Sequence, residues 1–499
     1  MADVLLTHSF HLAHDAKQLR KMQPYPPLGT LYAAAALRSA GISVALFDTT
    51  FAEPLSGFRS ALEEHQPKIV AIYEDDFNFV TKMCLAHMRD LANRLAVMAS
   101  SVGAIVIAHG SDASDHPREY LDFGVDFILD GEAEQSLTEL CGTILQARQL
   151  RPIPGLVRYS TEDRSLDSSL PSPTNPSWAT LPRTARDLID IEPYRRAWVE
   201  AHGYFSTNVV ASRGCPYRCN WCAKPISGNR FQLRAAKEVA AEIHELRTLF
   251  GVEHIWFGDD VFALDRHWVE QFAAAVESHG KPVPFKIQSR ADLMSETTVA
   301  ALKRAGCTEV WMGVESGSQT ILDAMEKGLK LTAVRAARQR LATAGIRASY
   351  FLQFGYPGEG WAEICQTVQL VRDTRPDDIG VSVSYPLPGT AFFVQVQAQL
   401  GKKRNWNDSD DLCTIHIASY NDSFYHALRD ALHAEVSTGY APAGSSGSLA
   451  CQPLWDRVRE MEPKCRNRNV LSLSSESSDA GSQSAFLPLE QLLAGSRTS

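Results

Sequence analysis

The sequence predicts an α/β protein with three parts: an N-terminal doubly wound parallel sheet of Rossmann-like type, a partial (β/α)6 barrel, and a mainly helical C-terminal extension. Three observations predict it. Short apolar runs alternate with amphipathic stretches over residues 1–150, and alternate again with a different beat over 206–400. Between the two, residues 151–205 include a stretch loaded with Pro, Ser and Thr, the composition of a linker. At 499 residues the chain also exceeds what one ordinary core accommodates.

In the first domain, DVLLTH, SVALFD, KIVAIY, GAIVIAH and VDFILD read as strands. LGTLYAAAALRSAG, FRSALEEH, TKMCLAHMRDLANRLAVMAS and EQSLTELCGTILQARQ between them have helical periodicity. This alternation means right-handed crossovers and a parallel sheet, with a ligand crevice outside the strands' C-terminal ends. PIPGLVRYS at the start of the linker reads as one more strand.

From residue 206 the strands are TNVVAS, HIWFGDD, PFKIQSR, TEVWMGVES, RASYFLQFG and IGVSVSYP. A helix over about 234–249 follows the first of them. Ser295 stands as N-cap before ETTVAALKRAG with Gly306 as its stop, and Ser318 precedes QTILDAMEKG in the same way. Six such units predict a barrel or partial barrel whose chemistry lies at the strands' C-terminal ends. In the extension, 401–470, SFYHALRDALHAEV and LWDRVREME read as helices, and the Ser-rich segment 471–499 predicts disorder.

The net charge of −9 speaks against a nucleic-acid partner, because neutralising phosphates needs a basic face. No stretch approaches the roughly 18 apolar residues of a membrane span. The opening MADVLLTHSFHLAHD has neither basic leader nor hydrophobic signal core, so a cytoplasmic location is expected. Ten cysteines are too few for a disulfide scaffold in a chain this long, and their spacing matters more than their number.

The strongest signal is Arg213-Gly-Cys215-Pro-Tyr-Arg-Cys219-Asn-Trp-Cys222. Thiolates are the ligands iron–sulfur clusters prefer, and a short loop can wrap three corners of a cubane with them. The missing fourth cysteine leaves one iron open. The competing readings are a zinc site or three unrelated thiols. Zinc usually takes four protein ligands, often as paired C-x2-C units, and no second pair is present. Cys84, Cys141, Cys307 and Cys365 fall in or beside helices among apolar neighbours, which predicts buried packing roles.

This loop resembles the hallmark C-x3-C-x2-C loop of the radical SAM (S-adenosylmethionine) superfamily, with Trp221 at the usual aromatic position and the first barrel strand directly before it. The resemblance implies that Cys215, Cys219 and Cys222 hold a 4Fe–4S cluster. Its open iron would chelate SAM, and one electron would cleave SAM to methionine and a 5′-deoxyadenosyl radical. It further implies cofactor contacts at successive strand ends. Gly258-Asp259-Asp260 stands where the family meets the SAM ammonium, reading GDD rather than the more usual GGE and leaving open which Asp makes the contact. Ser289-Arg290 ends the third strand, where an Arg fork suits a carboxylate. Glu315 ends the fourth, near the SAM ribose, and Tyr385 closes the sixth.

A sheet domain, a linker and such a barrel in this order resemble the cobalamin-binding class of the superfamily. PYPPLGTLYAAAAL at 24–37 and DFGVDFILDGEAEQSL at 122–137 are similar to segments of that class. Members transfer methyl groups or close rings. The resemblance makes Glu74, His109, Gly110 and Ser111 candidate cobalamin contacts. The class's D-x-H-x-x-G motif is absent, so no histidine is expected to coordinate cobalt from below. The reading is a cobalamin-dependent methyltransferase of a small-molecule or natural-product substrate, served by an electron donor such as flavodoxin or ferredoxin. Cyclase or oxidoreductase chemistry is the alternative within the family. A non-catalytic electron-transfer or sensing module would explain the cysteines but not six β/α units with polar strand ends.

Overall fold

The structure, a computed structural model, describes residues 1–83, 85–168, 170, 181–222, 226, 228–401, 405–440 and 446–467. Cys84, most of the Pro/Ser-rich stretch and the Ser-rich segment expected to be disordered lie outside the described residues.

Strands β1 (Val4–Thr7), β2 (Val44–Phe47), β3 (Ile69–Tyr73), β4 (Ile105–His109) and β5 (Phe127–Leu129) are parallel, in the order β2-β1-β3-β4-β5. β1 and β3 are buried throughout, as expected of near-continuous apolar strands covered by helices on both faces. The winding reverses between β1 and β3, and such a switch point opens a crevice beyond the strand ends. The helix Leu28–Ser39 begins there, directly after Pro26-Pro27, and the Asp75 carboxylate caps it by accepting from Gly29 N at 2.8 Å. β6 (Leu156–Tyr159) and β7 (Leu166–Ser168) add an antiparallel hairpin beside β5, so the first sheet runs on into the stretch read as linker.

The barrel strands are β8 (Ser206–Val209), β11 (His254–Phe257), β12 (Phe285–Ser289), β13 (Cys307–Glu315), β14 (Arg347–Phe354) and β15 (Asp378–Val383), all parallel, in the order β15-β14-β13-β12-β11-β8. Between β8 and β11, the short strands β9 (Ser212–Arg213) and β10 (Gln232–Leu233) form an antiparallel pair of their own. Of the two expected serine caps, Ser318 precedes the helix Gln319–Ala324 without a side-chain cap bond, and Ser295 caps its helix. Ser295 Oγ accepts from Thr298 N at 3.2 Å, and Gly306 ends the same helix in the left-handed region at φ +100°.

The six-stranded sheet does not close, since β8 and β15 are its two edges. Residues 10–27 of the first domain cross this open side. Near β8, Asn208 Nδ2 donates to Pro26 O at 2.9 Å, and Trp198 Nε1, on the helix Glu192–His202, donates to Pro24 O at 2.7 Å. At the far end, Lys17 Nζ donates to Ser409 O at 2.9 Å and Ser409 N to Asp15 Oδ2 at 2.9 Å. The helices Asp422–Ser437 and Ser446–Cys465 of the extension pack on each other, the first of them also on β15. No described helix is long and apolar enough to cross a membrane.

Candidate active site

One cavity of about 1480 Å³ runs through the barrel and between the two domains, and Cys215, Cys219 and Cys222 all line it. Their loop is clasped at its base by the β9–β10 pair. Asn220, between the second and third cysteines, pins its tip. Its Nδ2 donates to Ala324 O at 2.8 Å, its Oδ1 accepts from Tyr356 OH at 3.0 Å, and its backbone N donates to Met325 O at 3.1 Å. All three thiols are free of disulfides, Cys215 buried and the other two half-buried.

Three cations surround the loop. Arg290 stacks on the Tyr217 ring, its guanidinium carbon 3.7 Å from the centroid, and Lys327 lies 5.7 Å over Trp221. Burial alone would lower the Lys82 ammonium, but Asp260 at 2.6 Å overcomes this and holds it above its ordinary value, with Cys222 contributing in the same direction. Neighbouring cations favour the thiolate form that binds metals. Among the described residues no three His, Cys, Asp or Glu side chains converge on one ion. A cubane does not require that, because each thiolate takes a different iron. Three thiols on one clasped loop, facing a cavity and ringed by cations, fit such a cluster, whereas a four-ligand zinc site lacks its donors among the described residues.

The barrel candidates Gly258, Asp259, Asp260, Ser289, Arg290, Glu315 and Tyr385 all border the same cavity, yet most of their polar atoms are engaged by protein. Asp259 accepts from Ala211 N at 3.0 Å and from the Ser212 hydroxyl, and burial pushes its carboxyl up to about 7. It braces the strand that leads into the cysteine loop. Ser289 Oγ donates to Phe262 O at 2.7 Å. Arg290 grips Asp292 through Nε at 3.0 Å and Nη2 at 2.9 Å, and reaches Lys327 O at 3.0 Å. Glu315 sits at φ +65°, a strained backbone for a non-glycine residue, and pairs with Lys327 Nζ at 2.8 Å with both side chains buried. Tyr385 packs edge-on against Trp406 with ring centroids 4.3 Å apart.

Of the first-domain candidates, only Ser111 borders the cavity, joined there by Asp76, whose carboxyl burial pushes up to about 7. Glu74 accepts from Ser9 N at 3.0 Å and so ties the ends of β1 and β3 together. Gly110 has φ +137°, and a Cβ there would lie 2.8 Å from Glu74 Cβ, so the two strand ends meet only with glycine at this position. His109 is buried, stacked on Tyr73 at 3.9 Å, with Nε2 3.0 Å from Gly131 O. His8 has both ring nitrogens engaged, by Asp48 at 3.0 Å and Thr49 at 3.1 Å.

Sequence reasoning missed Asn220, Lys82 and Lys327, which carry no local motif. Among the remaining thiols, Cys141 and Cys307 are buried as expected, and burial pushes the Cys141 thiol up to about 12. Cys365, expected to be buried, is exposed, because it lies on the outer face of the helix Trp361–Thr374.

Comparison with known proteins bears on the fold and on the domain that carries the cysteine loop. The chain is 27% identical over 274 residues to an uncharacterized methyltransferase of Pyrococcus horikoshii, a match covering 54% of this chain and 57% of that protein, so it spans little more than half of that relative's length. Two solved structures share its fold. The radical S-adenosylmethionine methyltransferase TsrM from Kitasatospora setae, with cobalamin and a [4Fe-4S] cluster bound, is 19% identical with a TM-score of 0.65, over 80% of this chain and 75% of that one. The cobalamin-dependent S-adenosylmethionine radical enzyme OxsB, with aqua-cobalamin and S-adenosylmethionine bound, is 15% identical with a TM-score of 0.69, over 93% and 72%. Residues 209–371, which run from the end of β8 through the cysteine loop and into the helix after β14, match the Radical SAM superfamily, so this part of the chain is a radical SAM domain.

Proposed function

We propose that this radical SAM enzyme is a cobalamin-dependent methyltransferase of a small-molecule substrate, its electrons delivered by a redox protein such as flavodoxin or ferredoxin. The 4Fe–4S cluster and SAM follow from the superfamily. The corrinoid is supported by one observation above all: the turn 76–83 of the first domain and the cysteine loop border a single cavity. Phe77, Phe79, Val80 and Met83 on that turn, with Phe10 and Leu12, give the first domain's side of it an apolar patch. Phe79 is 58% exposed on that turn, a suitable placement beside the flat face of a macrocycle. The two solved relatives hold cobalamin, and TsrM and the Pyrococcus protein are methyltransferases.

When bound, the cluster and corrinoid supply electron transfer to SAM and the methyl group, respectively. The chain's own residues hold and shield. Asn220 and the β9–β10 clasp fix the loop. Arg290, Lys327 and Lys82 offset the negative charge of three thiolates. The Lys82–Asp260 pair, 2.6 Å across the domain boundary, borders the cavity between the domains.

No described histidine of the first domain lines the cavity. A corrinoid bound there would find no imidazole from the first domain, and Phe77, Phe79, Val80 and Met83 would be the apolar side chains that meet it. The test is electron paramagnetic resonance of the full chain reconstituted anaerobically with cob(II)alamin, beside an assay for 5′-deoxyadenosine from SAM. The expected spectrum lacks axial nitrogen triplets. Triplet splitting, or failure to take up cobalamin by a chain that cleaves SAM, overturns the assignment.

A further inference from the structure

In a closed (β/α)8 barrel the inward side chains are mostly branched aliphatics packed in layers, leaving no room. Below the cysteine loop this barrel is lined differently, by Trp256, Lys286, Gln288, Trp311, Phe351 and Gln353. The aromatics form two walls. Tyr25, from the segment that closes the open side, lies against Trp256 at 4.7 Å, and Trp311 lies against Phe351 at 4.9 Å with the ring planes 30° apart. Gly380 on β15 leaves space for the second pair, since a Cβ there would come within 3.1 Å of the Phe351 ring.

Two polar groups in this chamber lack the partners such groups normally have. Lys286, early on β12, stands in register between Trp256 on β11 and Glu309 on β13. Its Nζ has Gln23 Oε1 at 3.4 Å, and no carboxylate among the described residues comes within ion-pair distance. Glu309 is already held by the Ser349 hydroxyl at 2.8 Å and lies 3.7 Å from Arg347. Burial, only partly offset by Glu309, pushes the Lys286 ammonium down to about 8, as expected of a cation awaiting a counter-ion. Gln353, next to the last residue of β14, is only 2% exposed, and its Oε1 accepts no hydrogen bond among the described residues. A buried acceptor without a donor is costly unless a ligand completes it.

We propose that the barrel interior binds a flat, unsaturated ring substrate lying along Trp311 and Phe351, with a carboxylate on Lys286 and a ring N–H donating to Gln353 Oε1. Lys286 and Lys21 stand against Glu309 and Asp378, so the charges around the ammonium balance, which suits a monoanion and disfavours a phosphate dianion. Lys286 lies toward the start of its strand and Gln353 toward the end of its own, so the N–H edge points to the cysteine loop and the carboxylate away from it. This substrate class deepens the proposed function and rests on it.

The test uses the full chain with its iron and three probes, indole-3-propionate, indole-3-propionamide and benzofuran-3-propionate, which carry the charge on the far side of the ring from the N–H, titrated by calorimetry. The acid is expected to bind roughly tenfold or more tightly than the amide, which lacks the charge, and several-fold more tightly than the benzofuran, which lacks the N–H. In K286M the acid–amide difference disappears and in K286R it returns, while Q353L removes only the preference for indole over benzofuran. Iron content shows which variants have folded. Equal affinity for acid and amide in the unaltered chain, or no binding of any acid, overturns the substrate class without any variant. Normal probe binding by a chain that makes no 5′-deoxyadenosine from SAM would instead overturn the proposed function and leave the chamber standing.

Discussion

Glu134 and Arg213 form a two-pronged ion pair buried at the boundary between the domains, with Nη1 3.1 Å from Oε2 and Nη2 bonded to Oε1. Arg213 lies two residues before Cys215, and its guanidinium also sits over the rings of Tyr32 and Phe77, at 5.8 Å and 5.1 Å. The first domain thus holds the arginine that leads into the cysteine loop. Breaking a buried pair from one side leaves an uncompensated charge, so Glu134→Ala is expected to cost about 3–5 kcal/mol. Replacing both partners with apolar residues should recover much of that loss. Denaturant unfolding of the two single variants and the double variant measures the coupling, and a loss under ~1 kcal/mol for Glu134→Ala would show the pair to be idle.

Replacing Cys215, Cys219 or Cys222 with Ala should remove most of the bound iron and all SAM cleavage in each case. Each thiolate holds one corner of the cluster, and two protein ligands leave a cubane open to solvent. Cys307→Ala, at a buried position away from the loop, should keep its iron. Iron analysis and a 5′-deoxyadenosine assay decide the matter, and near-normal values in any loop variant would refute the assignment.

Asn220→Ala keeps all three thiols but loses the side-chain bonds to Ala324 O and Tyr356 OH. At about 1 kcal/mol per bond, the loop should open roughly tenfold or more often. The cluster should assemble, then leave faster when a chelator is added. Loss of iron at the unaltered rate would mean the β9–β10 clasp holds the loop alone.

Glu359 gives a pH test away from the cluster. It is 1% exposed, accepts from Gly355 N at 2.6 Å, and burial pushes its carboxyl up to about 8 from an ordinary 4.5. The folded state therefore binds a proton that the unfolded state releases between those two values. Its contribution is fully present below about 4.5 and is lost as pH rises toward 8, at up to ~1.4 kcal/mol per pH unit. Glu359→Gln should flatten that part of the stability curve and exceed the unaltered chain at pH 8. Parallel curves for the two proteins would rule this out.

What the sequence made legible was whatever is written locally. Period and turn residues disclosed the parallel strands of both sheets but not β7, Ser295 and Gly306 marked a helix at both ends, and the cysteine spacing named its own chemistry. Partnerships over long range were not legible. Glu134 and Arg213 are 79 residues apart, and Lys82 and Asp260 are 178 apart, so no window of sequence contains either pair. The strand-end candidates show a second limit. Position alone brought Asp259, Ser289 and Arg290 to the cavity, but whether their polar atoms are free depends on backbone groups that any sequence supplies. Cys365 was misread because apolar neighbours along a helix do not show which face a residue occupies.

The segment that crosses the open side of the barrel imposes an order of events on the nascent chain. Lys17 and Ser409, which meet at its far end, are 392 residues apart, so one wall of the chamber is translated at the start and its anchorage only after the last barrel strand. Contacts of such separation close slowly, because the chain entropy between them is lost before they form. Until residue 409 has left the ribosome the barrel stays a trough, open along one side.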